Sequence, residues 1–170
     1  LNRVASILVL LCLGASSHGT PEKKLDPCSL LTNSEIQAVQ GHAPTQKVSS
    51  EQPAASFRFT QCFYRTLELT SSVSLALGMP LATDNKRSGP RQFWQQQFHP
   101  KVSPGRKKKE PPKRIAGLGD EAFWVGDPVS GALYVLKGEV FLRLSVGGPY
   151  DETQKINRAK ALAMQALKRL

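Results

Sequence analysis

No segment of this 170-residue chain has the spacing of a recognised reaction centre. It has no GxSxG, P-loop, HExxH or Rossmann glycine pattern, so the common nucleophile, phosphate, zinc-protease and dinucleotide motifs are missing. Cysteine is scarce: the three cysteines include no CxxC pair. His42 and His99 lie far in sequence from Cys28 and Cys62, so the ligand spacing of a zinc site is absent too. Acidic residues are also few, 13 against 23 lysines and arginines. The adjacent carboxylates Asp120 and Glu121 would point to opposite faces of a strand, poor geometry for an acid–base pair. The apolar run from Val4 to Gly14 is too short to cross a bilayer core of about 30 Å as a helix. This reading assigns no catalytic residue, no cofactor and no metal.

The N-terminus has the layout of a signal peptide. Arg3 precedes the apolar run, and small residues follow at Ala15, Ser16, Ser17 and Gly19. Residues 1–19 are therefore expected to direct export to the periplasm or the exterior, with cleavage after Ser17 or Gly19. An N-terminal core helix is the alternative. Cys12 raises lipid anchoring, although the large Leu11 stands where a lipidated cysteine normally follows a small residue. After cleavage only Cys28 and Cys62 remain. An even pair in an oxidising compartment favours one disulfide, with isolated buried thiols and a reactive cysteine as the other readings.

Charge is concentrated in one place. Of the net +10, nearly all falls between Lys86 and Arg114. There Lys86, Arg87, Arg91, Lys101, Arg106, Lys107, Lys108, Lys109, Lys113 and Arg114 face only Glu110. The segment 99–114 carries four prolines and no hydrophobic periodicity, so it reads as a loop. It is either a solvated spacer or a patch for an anionic partner, such as an envelope polymer or a lipid surface. The patch would use Lys101, Arg106, Lys107, Lys108, Lys109, Lys113 and Arg114. Nucleic acid is disfavoured, because no aromatic residues are interleaved with the basic run.

Residues 115–148 organise the rest. Glycine-bounded apolar runs there predict an antiparallel meander in the middle of a sheet. Gly117-Leu118-Gly119-Asp120 reads as a tight turn, with Gly117 and Gly119 supplying positive φ and Asp120 accepting backbone N–H groups. Period-two alternation over Phe57–Tyr64 and Ser72–Leu77 predicts a hairpin turning near Leu69–Ser72. Residues 42–55 are polar with two prolines and read as irregular. Thr32-Asn33-Ser34-Glu35 is a capping box opening a helix that stops at Gly41. Ser88-Gly89-Pro90 opens a second helix whose Phe93, Trp94 and Phe98 cover the sheet. Asp151-Glu152-Thr153 begins an amphipathic helix of about 18–20 residues, with Lys155, Arg158, Lys168 and Arg169 facing water.

Three stretches carry a resemblance. Asp26-Pro27-Cys28-Ser29-Leu30-Leu31-Thr32, Cys62-Phe63-Tyr64, and GLGDEAFW from Gly117 to Trp124 resemble a family of exported bacterial domains of unknown function. Such domains occur among actinobacterial lipoproteins, and the chain is similar to acidobacterial relatives of that type. In a more distant way the layout is similar to the extracellular sensor domain of a mycobacterial Ser/Thr kinase. The resemblance runs from Asp26 to the C-terminus. It implies a Cys28–Cys62 disulfide and an antiparallel sheet flanked by helices, and it brings no catalytic residues. Leu11 and the long lysine-rich insert depart from the family pattern.

The expected fold is α+β: one domain over 20–170, a single antiparallel sheet of about five strands, flanking helices, one disulfide and a partly open sheet face. The expected function is an exported, non-catalytic binding or envelope-associated module that holds a small apolar ligand or an envelope protein. An electrostatic adaptor acting through the basic loop is the rival, and an undetected hydrolase comes third.

Overall fold

The computed structural model describes residues 25–54, 56–81, 89–100, 111–126 and 130–170. The signal-peptide and Cys12 expectations lie outside these residues, as do those for Lys101, Arg106, Lys107, Lys108 and Lys109. Two antiparallel meanders meet in one seven-stranded sheet. The first comprises β1 (Gln46–Pro53), β2 (Arg58–Arg65) and β3 (Val73–Met79). The second comprises β4 (Lys113–Arg114), β5 (Glu121–Gly126), β6 (Gly131–Lys137) and β7 (Val140–Val146). The order is β1-β2-β3-β7-β6-β5-β4, so β7 is the central strand and its pairing with β3 joins the halves. Helix α1 (Asn33–Gln40) precedes the sheet, α2 (Gly89–Phe98) follows β3 in sequence, and α3 (Glu152–Leu167) follows β7.

The α+β class and the meander hold, but the sheet has two more strands than expected. β1 falls in the stretch expected to be irregular, and it is an edge strand. It pairs with β2 alone, and its side chains are almost all exposed, so no apolar alternation marks it. β4 is two residues long and too short to leave a pattern. The β2–β3 connection turns through a 3-10 segment at Leu69–Ser71, as anticipated.

The capping signals work as read. Thr32 accepts from the Glu35 N–H, the Glu35 side chain accepts from the Thr32 N–H, and the helix stops at Gly41. A second capping box joins Asp151 and Gln154 at the start of α3. One expectation fails on α3: Lys155 is buried, with 6% of its surface exposed. Positions 155, 159, 162 and 166 form one helical stripe, and Ala159, Leu162 and Ala166 are all buried. Lys155 continues that stripe, so its stem lies against the core. Arg158 and Arg169 are tied down as well. Arg158 donates to the Val39 carbonyl and stacks 3.7 Å over the Tyr150 ring. Arg169 holds Glu35 at 2.8 Å, linking the end of α3 to α1.

One sheet face is sealed by α3, α1 and the segment around Cys28. Its core is mostly aliphatic: Leu75, Leu77, Leu133, Val135, Leu142 and Leu144 meet Ile36, Leu162 and Ala163. Tyr64 and Trp124 are buried there too. The Tyr64 hydroxyl donates to the Pro27 carbonyl at 2.7 Å, and burial pushes its ionisation upward. Buried Gln40 donates to the carbonyls of Ser71 and Gly147 at 2.9 Å, bracing α1 against the ends of β3 and β7. The Cys28–Cys62 disulfide is formed and ties this layer to β2. It closes a 34-residue separation. Loss of the bond in a Cys28→Ala/Cys62→Ala double variant is expected to cost roughly 3–4 kcal/mol by the chain-entropy relation. Urea unfolding of the variant against the oxidised protein measures it, and a difference below about 1 kcal/mol contradicts the expectation.

Candidate ligand-binding site

The opposite face is aromatic, and among the described residues α2 is the helix that packs on it. All seven phenylalanines of the chain lie on this side: Phe57, Phe59 and Phe63 in and before β2, Phe93 and Phe98 on α2, Phe123 on β5, and Phe141 on β7. Helix α2 has ten residues, a length of about 15 Å. Seven strands span about 29 Å between their outer axes, so α2 alone cannot roof them. Trp94 and Phe98 are buried under it, whereas Phe57, Phe59, Phe63 and Tyr134 stay half-exposed.

The strand register aligns this face in rows. One row reads Gln52, Phe59, Gly78, Phe141, Leu136, Glu121 from β1 to β5. The next reads Ser50, Gln61, Ala76, Arg143, Tyr134, Phe123 and, on β4, Arg114. In the first row the Phe141 ring lies over Gly78. A Cβ at Gly78 would sit 2.1 Å from Phe141 Cε1. The missing side chain therefore lets Phe141 settle into the sheet, where it stacks on Phe93 at 4.9 Å and meets the Phe57 ring edge-on at 5.4 Å.

Around Phe141 these rings form an open concavity of about 390 Å³. Its lining is Gln52, Ala54, Phe57, Phe59, Phe93, Tyr134, Phe141 and Arg143. The size falls within the range of about 300–1,000 Å³ usual for small-molecule sites, as does an apolar wall with few polar groups. A second depression, about 340 Å³, lies between α1 and α3 beside Arg158 and is shallower.

A polar cluster pins α2 beside this concavity. Glu121 Oε2 accepts from Trp94 Nε1 and contacts His99 Nε2, both at 2.8 Å, and Arg114 approaches Glu121 Oε1 at 3.8 Å. Burial pushes the Glu121 carboxyl upward, but the hydrogen bonds from His99 and Trp94 and the charges of His99 and Arg114 outweigh it. The carboxyl is held below its ordinary value. Arg91 on the same helix pairs with Glu139 at 2.7 Å.

The sequence-derived site residues divide. Gly117 and Gly119 have φ of 80° and 53°, and Asp120 accepts from the Gly138 N–H at 2.8 Å. That contact ties the start of β5 to the β6–β7 turn. Lys113 and Arg114 are exposed on edge strand β4, a placement that also discourages edge-to-edge pairing. The residues that build the concavity were not singled out from the sequence, except that Phe93 was expected to cover the sheet. A local signal did exist for Arg143: it interrupts the apolar β7 on the side of Phe141 and Ser145, while Leu142, Leu144 and Val146 occupy the other. Among the described residues, no group of three or more His, Cys, Asp and Glu side chains is placed to hold a metal ion. No helix of the described residues is long and apolar enough to cross a membrane. The chain matches no protein-family model, no curated protein and no solved structure.

Two outcomes follow from this geometry. Gly78→Ala forces the packed Phe141 ring to move and is expected to cost roughly 1–3 kcal/mol, with altered near-ultraviolet circular dichroism. A cost near zero would mean that Phe141 is free to relocate. Glu121 has a folded-state value below its unfolded one, so its contribution is full above about pH 4.5 and fades as pH falls through the folded value. Glu121→Gln is therefore expected to flatten the acid side of the stability profile, read by urea unfolding between pH 3 and 7. An unchanged profile contradicts the assignment.

Proposed function

We propose that this chain is an exported, non-catalytic binding module that holds a small apolar ligand in the aromatic concavity on the half-open sheet face. The observation that carries the reading is the lining itself. Four phenylalanines and a tyrosine surround a volume of ligand size, on the face that α2 leaves partly uncovered. Half-exposed rings grouped in a concave surface are the usual mark of a contact site in a soluble protein. Export is supported by the signal-like N-terminus and by the disulfide, which persists in oxidising compartments. The resemblance of the Cys28 segment and GLGDEAFW to exported domains points the same way.

A second reading keeps the basic segment for an anionic envelope polymer or lipid surface. The exposed Lys113 and Arg114 at the sheet edge favour it. It expects salt-sensitive binding to anionic vesicles that is lost when Arg106, Lys107, Lys108 and Lys109 become Gln.

The test of the first reading uses N-phenyl-1-naphthylamine, a neutral apolar fluorophore. Saturable one-to-one binding is expected, weakened roughly tenfold by Phe59→Ala or Phe93→Ala, since each removes one aromatic wall. Absence of saturable binding, or full affinity in both variants, sinks the proposal.

A further inference from the structure

We propose that the concavity is selective for small apolar carboxylates, with Arg143 binding the carboxylate and the aromatic walls holding the apolar body. The proposal rests on the reading of the concavity as a ligand site and names the class of ligand. Its starting point is where Arg143 lies. It occupies the central strand of the sheet, half-buried, and lines the concavity. Its cross-strand neighbours are Ala76 and Tyr134, and along β7 its same-face neighbours are Phe141 and Ser145. None of these carries negative charge.

Other arginines of this protein are paired differently. Arg58, Arg91, Arg114 and Arg169 each have a carboxylate within 4.0 Å. Arg143 meets a neutral group: its Nε donates to the Tyr134 hydroxyl at 3.1 Å, and its guanidinium lies 5.8 Å from the centre of that ring. Among the described residues both Nη groups are left without a hydrogen-bond acceptor. The acidic side chains nearest in the sheet register are committed elsewhere, Glu121 to Trp94 and His99, and Glu139 to Arg91.

A half-desolvated cation in an aromatic wall is costly without a counter-charge, and its attraction for one is stronger than in open water. A guanidinium also offers two parallel N–H donors that match a carboxylate. The Tyr134 hydroxyl adds to this. It accepts from Arg143 Nε, which leaves its own hydrogen to donate beside the same point. Gln52 adds a neutral amide to the lining. The result is a site with one anchored positive group, one adjacent hydroxyl donor and apolar walls. A carboxylate on a flat or short apolar body fits that chemistry. A neutral hydrocarbon fills only the walls and leaves the guanidinium unpaired.

The test compares two probes of nearly the same shape, 2-naphthoate and 2-naphthamide, by isothermal titration calorimetry on the intact folded chain at pH 7. The expected result is that naphthoate binds roughly tenfold or more tightly than the amide, as a charge-assisted bidentate contact implies. Arg143→Met should abolish that preference. Tyr134→Phe keeps the ring and is expected to weaken naphthoate only, which tests the site if Arg143→Met does not fold. Equal affinities in the unaltered protein overturn the carboxylate inference and leave the binding reading standing. A preference that survives Arg143→Met overturns it as well. If neither probe binds, the binding reading falls and the carboxylate inference falls with it.

Discussion

The pairing of β3 with β7 is the contact on which the structure depends. It is the seam between two meanders that each have only local connections, and its register runs from Val73–Val146 to Gly78–Phe141. A one-residue slip would turn Leu142 and Leu144 to the aromatic side and Phe141 and Arg143 into the aliphatic core. The buried partners on both sides resist that. Leu75 and Leu77 face Leu144 and Leu142 under α3, while Gly78 leaves the space that Phe141 fills on the other face. The same seam holds the long-range braces at its end, where Gly147 N–H donates to Ser72 and Gln40 spans both strands.

From that seam the two faces acquire different characters. The aliphatic face is closed by a 16-residue helix, a second short helix and a disulfide. Its side chains are mostly aliphatic, with Tyr64 and Trp124 buried among them. The other face carries the phenylalanines and a shorter helix. Stacked and edge-on rings bridge α2 to β5, β6 and β7, and Glu121 fixes the helix by accepting from Trp94. Among the described residues, no helix lies above the rings beyond the reach of α2. The aliphatic core and the aromatic cluster thus lie on opposite sides of one sheet, and Arg143 sits on the central strand, on the aromatic side.

Much of the fold was legible because its determinants are local. The Thr32–Glu35 capping box, the stop at Gly41, the turn at Gly117–Asp120 and the alternation in β2 and β3 each involve residues within a few positions of one another. What escaped had a physical cause. β1 is stabilised by pairing with β2 and by no apolar pattern of its own, and Lys113–Arg114 is a strand only because β5 lies beside it. Lys155 looked like a surface lysine by type, yet helical geometry puts it on the stripe of Ala159 and Leu162. The candidate site was harder still. Phe57 and Phe141, or Arg143 and Tyr134, belong to different strands, and nothing in the order of residues states which strands become neighbours.

The sequence by itself therefore determined the element types, the caps, the turn chemistry and the amphipathic stripe of α3, because these follow from backbone conformation and side-chain period over a few residues. It also marked a meander around 115–148 and favoured one disulfide. Only the tertiary structure decided that β7 returns to β3, that the phenylalanines gather on one face, and that Arg143 stands in that face among neutral neighbours. Those facts come from the register between strands far apart in the chain, where burial of both faces at once selects the pairing.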